Sequence, residues 1–211
     1  DILLFYAAKG AKVTENGGKI SYKVNPDGSK SPYELNISYM DGITNPSRDK
    51  EERYKRFMAS QAIMLSLQGV PGIYYHSLLG SGNWYEGVAS SGINRKINRQ
   101  KLNLEELTAE LQEQSSLRAL VFSGYKKLLK VRGEHSAFSP YASQKVLASS
   151  PSLFMVERYN ENTGEKIIAV INVTGQTVKL DQPIKGKDLL SPAQGGMNTE
   201  MKPYQISWIL V

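Results

Sequence analysis

The tightest constraint on this chain lies between Glu51 and Tyr75, where a long helical pattern passes through a short break into an apolar run. Within residues 51–68, Tyr54, Phe57, Met58, Ala62 and Leu65 recur at helical spacing. The second half is apolar nearly all round, the mark of a deeply packed helix. Gly69 and Pro71 stop it. Residues 70–75, V-P-G-I-Y-Y, then read as a short, fully buried strand. A helix feeding directly into such a strand is half of a βα repeat, which calls for a layered α/β arrangement. Gln61, Gln68, Gly69, Pro71 and Gly72 interrupt this apolar region, and that excludes a membrane span.

The flanking segments supply the rest of the order. Residues 2–8 read as a short helix. Residues 17–42 read as strand, turn, strand, with Asn25-Pro26-Asp27-Gly28 as the turn and extended character over 33–40. Asn103, followed by Glu105 and Glu106, opens a helix with Leu104, Leu107 and Leu111 on one side. Residues 117–132 form the clearest amphipathic helix, through Leu117, Leu120, Val121, Tyr125, Leu128 and Leu129, and stop near Gly133. Beyond Tyr141 the pattern changes to strands over 153–159, 166–173, 177–180 and 204–211. This shift places a domain boundary near Ser139-Pro140, dividing the chain into 1–139 and 140–211.

Composition narrows the function classes. The 211 residues include no cysteine and two histidines, His76 and His135, so disulfide frameworks and thiolate or histidine metal centres are not expected. The net charge of +6 comes from scattered basic residues, so a nucleic-acid partner is not expected. The triplets starting at Asn36 and Asn172 match the glycosylation pattern but fall in expected strands. Asp1 is not an initiator methionine and no signal peptide is evident, so the chain reads as a piece of a longer, cytoplasmic protein.

The chemistry concentrates after the 70–75 strand, where ligand-binding loops of α/β folds lie. That loop holds Asn83, Trp84 and the segment S-S-G-I-N-R-K-I-N-R-Q-K-L, with no carboxylate between Glu86 and Glu105 to neutralise Arg95 and Arg99. Four residues apart, the two arginines would share a face of a helical turn. One of them could cap or pair with the preceding helix. Otherwise a guanidinium offers its planar fork to sugar hydroxyls, phosphate or carboxylate, with Asn94 and Asn98 as donor–acceptor companions. Tyr33 and Glu34 either reach the same site or form a surface pair on the hairpin. His76, at the end of a buried strand, is a ligand or a satisfied core histidine. Trp84 is a stacking platform or a packing lid. Asp41 and Glu86 look isolated, and no two carboxylates are paired convincingly for glycosidic chemistry.

Three runs carry a resemblance: P-Y-E-L-N-I-S-Y-M-D-G; R-F-M-A-S-Q-A-I-M-L-S-L-Q-G-V-P-G-I-Y-Y-H; and N-R-K-I-N-R-Q-K-L. In this order they resemble the sucrose phosphorylase subfamily of the alpha-amylase group, glycoside hydrolase family 13. The resemblance covers most of residues 17–211. It implies the last units of a TIM (β/α)8 barrel, with 51–68 as the seventh helix, 70–75 as the eighth strand and 117–132 as the eighth helix. A small antiparallel β-sandwich domain would follow.

The family's aspartate nucleophile, glutamate acid/base and third aspartate lie on strands before this segment, so the resemblance leaves no catalytic residue in the chain. It implies a parent enzyme that moves glucose from an α-glucoside to phosphate with retained configuration, using no metal and no cofactor besides phosphate as co-substrate. It assigns Arg95 to distal hydroxyls of the glucose ring, pointing toward the end of strand 70–75, with Asn98 beside it and Arg99 bracing the loop. Tyr33 and Glu34 match the loop facing acceptor or phosphate. Glu34 stands where close relatives have glutamine, a negative group near the expected phosphate that counts against sucrose itself; relatives with P-Y-E-L-N include phosphorylases of sucrose 6'-phosphate, glucosylglycerol and glucosylglycerate, among which the sequence does not choose. Alone, the fragment is expected to be inactive and to associate through exposed barrel faces. The alternatives are a non-catalytic carbohydrate-binding or partner module, and a basic binding protein.

Overall fold

The computed structural model describes residues 12–191 and 196–211. The helix expected over 2–8 lies outside them. Two compact units form, one from residues through Arg53 together with Ile73–Phe122, the other from Tyr54–Gly72 with Ser123–Val211.

In the first unit, β1 (Lys19–Val24) and β2 (Lys30–Asn36) make an antiparallel hairpin. Its turn works as the sequence dictates: the Asp27 carboxylate accepts from the Ser29 N–H and hydroxyl, and Gly28 takes the positive φ of +80°. The extended character expected through residue 40 stops at Asn36. There Ser38 caps a new helix, α1 (Tyr39–Ile43), by accepting the Asp41 N–H. A serine followed by residues that can propagate a turn ends the strand, because the cap satisfies an otherwise orphaned donor. Helices α3 (Tyr75–Leu78), α4 (Tyr85–Ser91) and α5 (Leu104–Gln112) follow, with a 3₁₀ turn at Asn94–Asn98. Asn103 caps α5 as expected, accepting from Glu105 and Glu106. The leucine side of α5 is not buried, and Leu104 is 77% exposed.

Residues 70–75 correct the expectation of a fully buried strand. Residues 70–74 belong to no helix or strand and have no ladder partner among the described residues, Tyr75 already opens α3, and Val70 is 82% exposed, Tyr74 50% and Tyr75 49%. The physical reason is direct. A strand becomes buried by pairing on its edges, and no described strand lies in the same sheet to receive this one.

Helix α2 (Lys50–Ser66) gives Lys50–Arg53 to the first unit and its remaining turns to the second. Helix α6 (Leu117–Glu134) runs past Gly133 rather than stopping there. The second unit is built on a six-stranded antiparallel sheet in the order β3-β4-β5-β8-β6-β7. The strands are β3 (Ser143–Val146), β4 (Leu153–Tyr159), β5 (Lys166–Asn172), β6 (Val178–Asp188), β7 (Gly196–Met201) and β8 (Ile206–Leu210). Of these, β4 and β5 match the expected spans closely. β6 is much longer than the expected 177–180, and β3 and β7 were not expected. The C-terminal strand begins at Ile206 because Tyr204 sits at φ 54°, outside the extended region.

Strand alternation assigns the two faces. Leu153, Val170 and Ile209 form one core with Leu180 and Met201 from β6 and β7. This is possible because β6 is irregular between Lys179 and Ile184, so its two ends serve different neighbours. The sequon-like Asn36 and Asn172 are both buried, and Asn172 donates to three backbone carbonyls. No described helix is long and apolar enough to cross a membrane.

The other face carries Val156, Arg158, Ile167, Ala169, Ile171 and Trp208, all fully buried. It meets the C-terminal end of α2, where unpaired helix carbonyls gather. The Trp208 indole N–H donates to Ser66 Oγ at 2.9 Å, and its ring lies 4.5 Å from that of Phe138. The Arg158 guanidinium donates to the carbonyls of Ser66 (3.1 Å), Ser139 (2.8 Å), Ala142 and Ser143. Arg132 donates to the carbonyls of Leu65 and Gly69. Two cations thus sit where the helix dipole is negative. Burial, aided by the nearby Arg132, lowers the Arg158 pKa from its ordinary arginine value to about 10. The sign follows: the unfolded chain binds the extra proton only between those two values, so Arg158 adds no slope to stability below about pH 10. Replacing Arg158 with Met strands buried carbonyls at about 1–3 kcal/mol each, offset in part by relief of the buried charge. The expected net loss is on the order of 2 kcal/mol, a fall of roughly 4–8 °C in melting temperature. Melting indistinguishable from wild type would show that the guanidinium holds nothing.

Candidate functional site

Unit one gathers its polar side chains around α1. Asp41, in the first turn of that helix, is buried, with its side chain 5% exposed. One carboxylate oxygen accepts from Arg53 Nη2 at 2.7 Å and the other from the Asn83 N–H at 2.6 Å. This corrects the view of Asp41 as isolated. Its partners are 12 and 42 residues away, so no local pattern pointed to them.

The loop after α3 leads from there to the arginine-bearing turn. The Trp84 N–H donates to the Ile97 carbonyl at 2.7 Å, and Ile97 is fully buried at the middle of the 3₁₀ turn. Three side chains of the turn then fasten it to the hairpin and the segment after it. Asn94 Nδ2 donates to Ser21 Oγ (3.3 Å), Arg95 Nε to both oxygens of Glu34 (2.8 and 2.9 Å), and Asn98 Nδ2 to the Ile37 carbonyl (3.4 Å). The Asn98 carbonyl accepts from the Tyr74 hydroxyl at 3.4 Å, which ties the turn to the end of the unpaired run.

The expected site residues therefore fall into three settings. Arg95 and Glu34 form an ion pair, with side chains 50% and 28% exposed, and Glu34 raises the Arg95 pKa further. Only Nε is engaged, so both Nη groups have no protein partner among the described residues. Tyr33 is exposed beside them, and Asn98 is fixed at the base of the turn. Arg99 is exposed and leaves the turn at φ −135°, ψ 39°. It does not share a face with Arg95, because the turn is 3₁₀, with three residues per turn instead of 3.6. Glu34 was the partner that sequence spacing could not supply, since it lies 61 residues from Arg95.

A cavity of ≈ 380 Å³ opens beside these groups, lined by Leu35, Ile37, Met40, Tyr74, His76 and Asn98 among others. His76 sits in α3, not at the end of a strand, and is buried. Its Nδ1 lies 3.0 Å from Ser81 Oγ, which already accepts from Arg118 Nη1 at 3.1 Å. The Ser81 proton is then best placed on the bond to Nδ1, which leaves the ring hydrogen on Nε2. Nε2 is buried with no hydrogen-bond partner. Burial first, and Arg118 second, push the His76 pKa down, opposed by the nearby Gln100 backbone. The cavity can therefore offer an imidazole and the amides of Asn98 and Gln100, groups suited to hydroxyls, while Arg95 and Glu34 are not among its lining residues. His135 has a structural setting, with Nδ1 2.7 Å from a Glu165 oxygen.

No family model matches the chain. It is 48% identical over 162 residues to a glucosylglycerate phosphorylase of Spirochaeta thermophila, covering 77% of this chain and 27% of that protein. It is 36% identical over 198 residues to a glucosylglycerate phosphorylase of Escherichia coli, covering 92% and 35%. The chain thus spans about a third or less of the length of these relatives. In structure it is similar to sucrose 6F-phosphate phosphorylase from Thermoanaerobacter thermosaccharolyticum, with a TM-score of 0.62 at 20% identity, over 79% of this chain and 31% of that one.

The depressed pKa of His76 gives a pH signature. In the unfolded chain the ring takes up a proton near its ordinary 6.5, whereas the folded site resists it, so stability falls as pH drops below about 6.5. His76→Gln, which stays neutral, is expected to flatten that part of the melting-temperature profile. An unchanged acid slope in the variant would place its origin elsewhere.

Proposed function

Because this chain belongs to the sucrose phosphorylase-like group of the alpha-amylase family, we propose that it forms the carboxy-terminal part of a retaining glucosyl-transferring phosphorylase. The substrate is a glucosylglycerate, cleaved by phosphate to α-glucose 1-phosphate and glycerate. The observation that carries this choice is that the two relatives named for that reaction match 77% and 92% of the chain at 48% and 36% identity. Phosphate serves as co-substrate, no resident cofactor takes part, and the reaction runs in the cytoplasm.

The site residues divide the work. Arg95 grips distal hydroxyls of the glucosyl ring through Nη1 and Nη2, while Nε stays on Glu34. Asn98 holds the turn in place through the Ile37 carbonyl. Tyr33 and Glu34 border the acceptor side, and Arg99 braces the loop. A lone carboxylate near an incoming phosphate would repel it. Paired with Arg95, Glu34 brings little net charge, which makes its presence compatible with a phosphorolytic site. Chemistry needs the aspartate nucleophile and glutamate acid/base that the family carries on earlier strands, so the chain alone binds without turning over.

The test is phosphorolysis by the longer enzyme that contains this chain, offered glucosylglycerate, sucrose, sucrose 6'-phosphate and glucosylglycerol. Release of α-glucose 1-phosphate with kcat/KM at least about tenfold higher for glucosylglycerate than for the other three is expected. Preference for another glucoside overturns the substrate choice. Glucose binding by the chain alone, with no phosphorolysis by the longer protein, favours a carbohydrate-binding module instead.

A further inference from the structure

The geometry points to Asp41 as the positioning residue for the arginine-bearing turn. Its kinetic consequence rests on the phosphorylase reading, while its structural consequence does not. Asp41 is held on every side. The carboxylate splits its oxygens between Arg53 (2.7 Å) and the Asn83 backbone N–H (2.6 Å). Its own N–H donates to Ser38 Oγ (3.1 Å), and its carbonyl accepts from Asn16 Nδ2 (2.8 Å).

An ion pair that only stabilised α1 would need Arg53 alone. The second oxygen instead goes to the loop, which comes so close that a Cβ at Gly82 would stand 3.2 Å from it. Asn83 is clamped further: its Oδ1 accepts from the Ser38 N–H (2.8 Å), and its Nδ2 donates to the Asn16 carbonyl (3.1 Å). The next residue, Trp84, donates its N–H to Ile97, two positions from Arg95. A continuous path of short contacts thus runs from the buried carboxylate through Asn83 and Trp84 to the turn. Asp41 is itself buried and does not line the cavity, so it acts through the turn. It fixes where the Arg95 fork is presented, and displacement of such a group by about 1 Å can cost 100-fold in rate.

Asp41→Asn separates the roles. The amide keeps the size of the side chain but has one acceptor and one donor, so either Arg53 or the Asn83 N–H must face another donor. Hydrogen exchange of the longer enzyme is the readout. In Asp41→Asn, amides over residues 84–99 are expected to exchange about tenfold faster or more, while the Ile167–Ile171 amides of β5 stay unchanged. Arg53→Lys, which keeps the charge, should leave residues 84–99 at wild-type rates. In phosphorolysis, Asp41→Asn should lower kcat/KM by about 10- to 100-fold, and add little to the loss caused by Arg95→Lys, because both act through one group. Unchanged exchange over 84–99, uniformly faster exchange across the sheet as well, or additive kinetic losses would each overturn the assignment. A wild-type enzyme without phosphorolysis would remove the reaction, leaving the exchange comparison to decide the positioning role by itself.

Discussion

Backbone outside a helix cannot be buried without neighbours to take its hydrogen bonds, and residues 70–74, leading into α3 at Tyr75, are an apolar run in that position. The sequence V-P-G-I-Y-Y has the content of an interior strand. Among the described residues it has no strand partner, and Val70, Tyr74 and Tyr75 are open to solvent. A natural protein seldom leaves such an edge exposed, since it templates association. In the barrel reading proposed above, this run is where neighbouring strands would pair. The chain's share of about a third or less of its relatives' length accords with that.

Within each unit, order comes from a buried charge that serves backbone groups. Arg158 closes the end of α2 by donating to carbonyls from three stretches of chain, at Ser66, Ser139 and Ala142 to Ser143. Asp41 performs the complementary task, accepting one donor from Arg53 and one from the loop at Asn83. Each spreads its hydrogen bonds over partners remote in sequence, which is the way a small number of charges can fix loops that have little apolar surface of their own. The functional consequence lies in the first unit. The turn bearing Arg95 and Asn98 contributes one buried residue, Ile97, and depends on hydrogen bonds for its placement.

Local patterns in the sequence revealed the elements that local physics controls. The Asn25–Gly28 turn, the Asn103 cap and strands β4 and β5 all follow from residues adjacent to one another. The two long helices were legible through their periodicity. Strands β3 and β7 were not, because S-Q-K-V and G-M-N-T-E-M carry little apolar alternation and are held by their neighbours' registers. At the site, the residues expected to matter are joined only in part: Arg95 pairs with Glu34, Asn98 anchors the turn, and Arg99 is exposed just beyond it. The Asp41–Arg53–Asn83 network was invisible, since a buried carboxylate and an exposed one look identical in a sequence. The resemblance to the sucrose phosphorylase group supplied what periodicity could not, namely that the chain is the C-terminal part of a larger enzyme.

The most direct measurement of that central claim is amide hydrogen exchange at Ile73, Tyr74 and Tyr75, compared between this chain alone and the longer enzyme. Completion of the barrel predicts rapid exchange in the isolated chain and strong protection in the longer protein, as parallel neighbours take up those N–H groups. Equally rapid exchange in both would mean that the run is a surface linker, and the account of this chain as barrel strand and helices would fail.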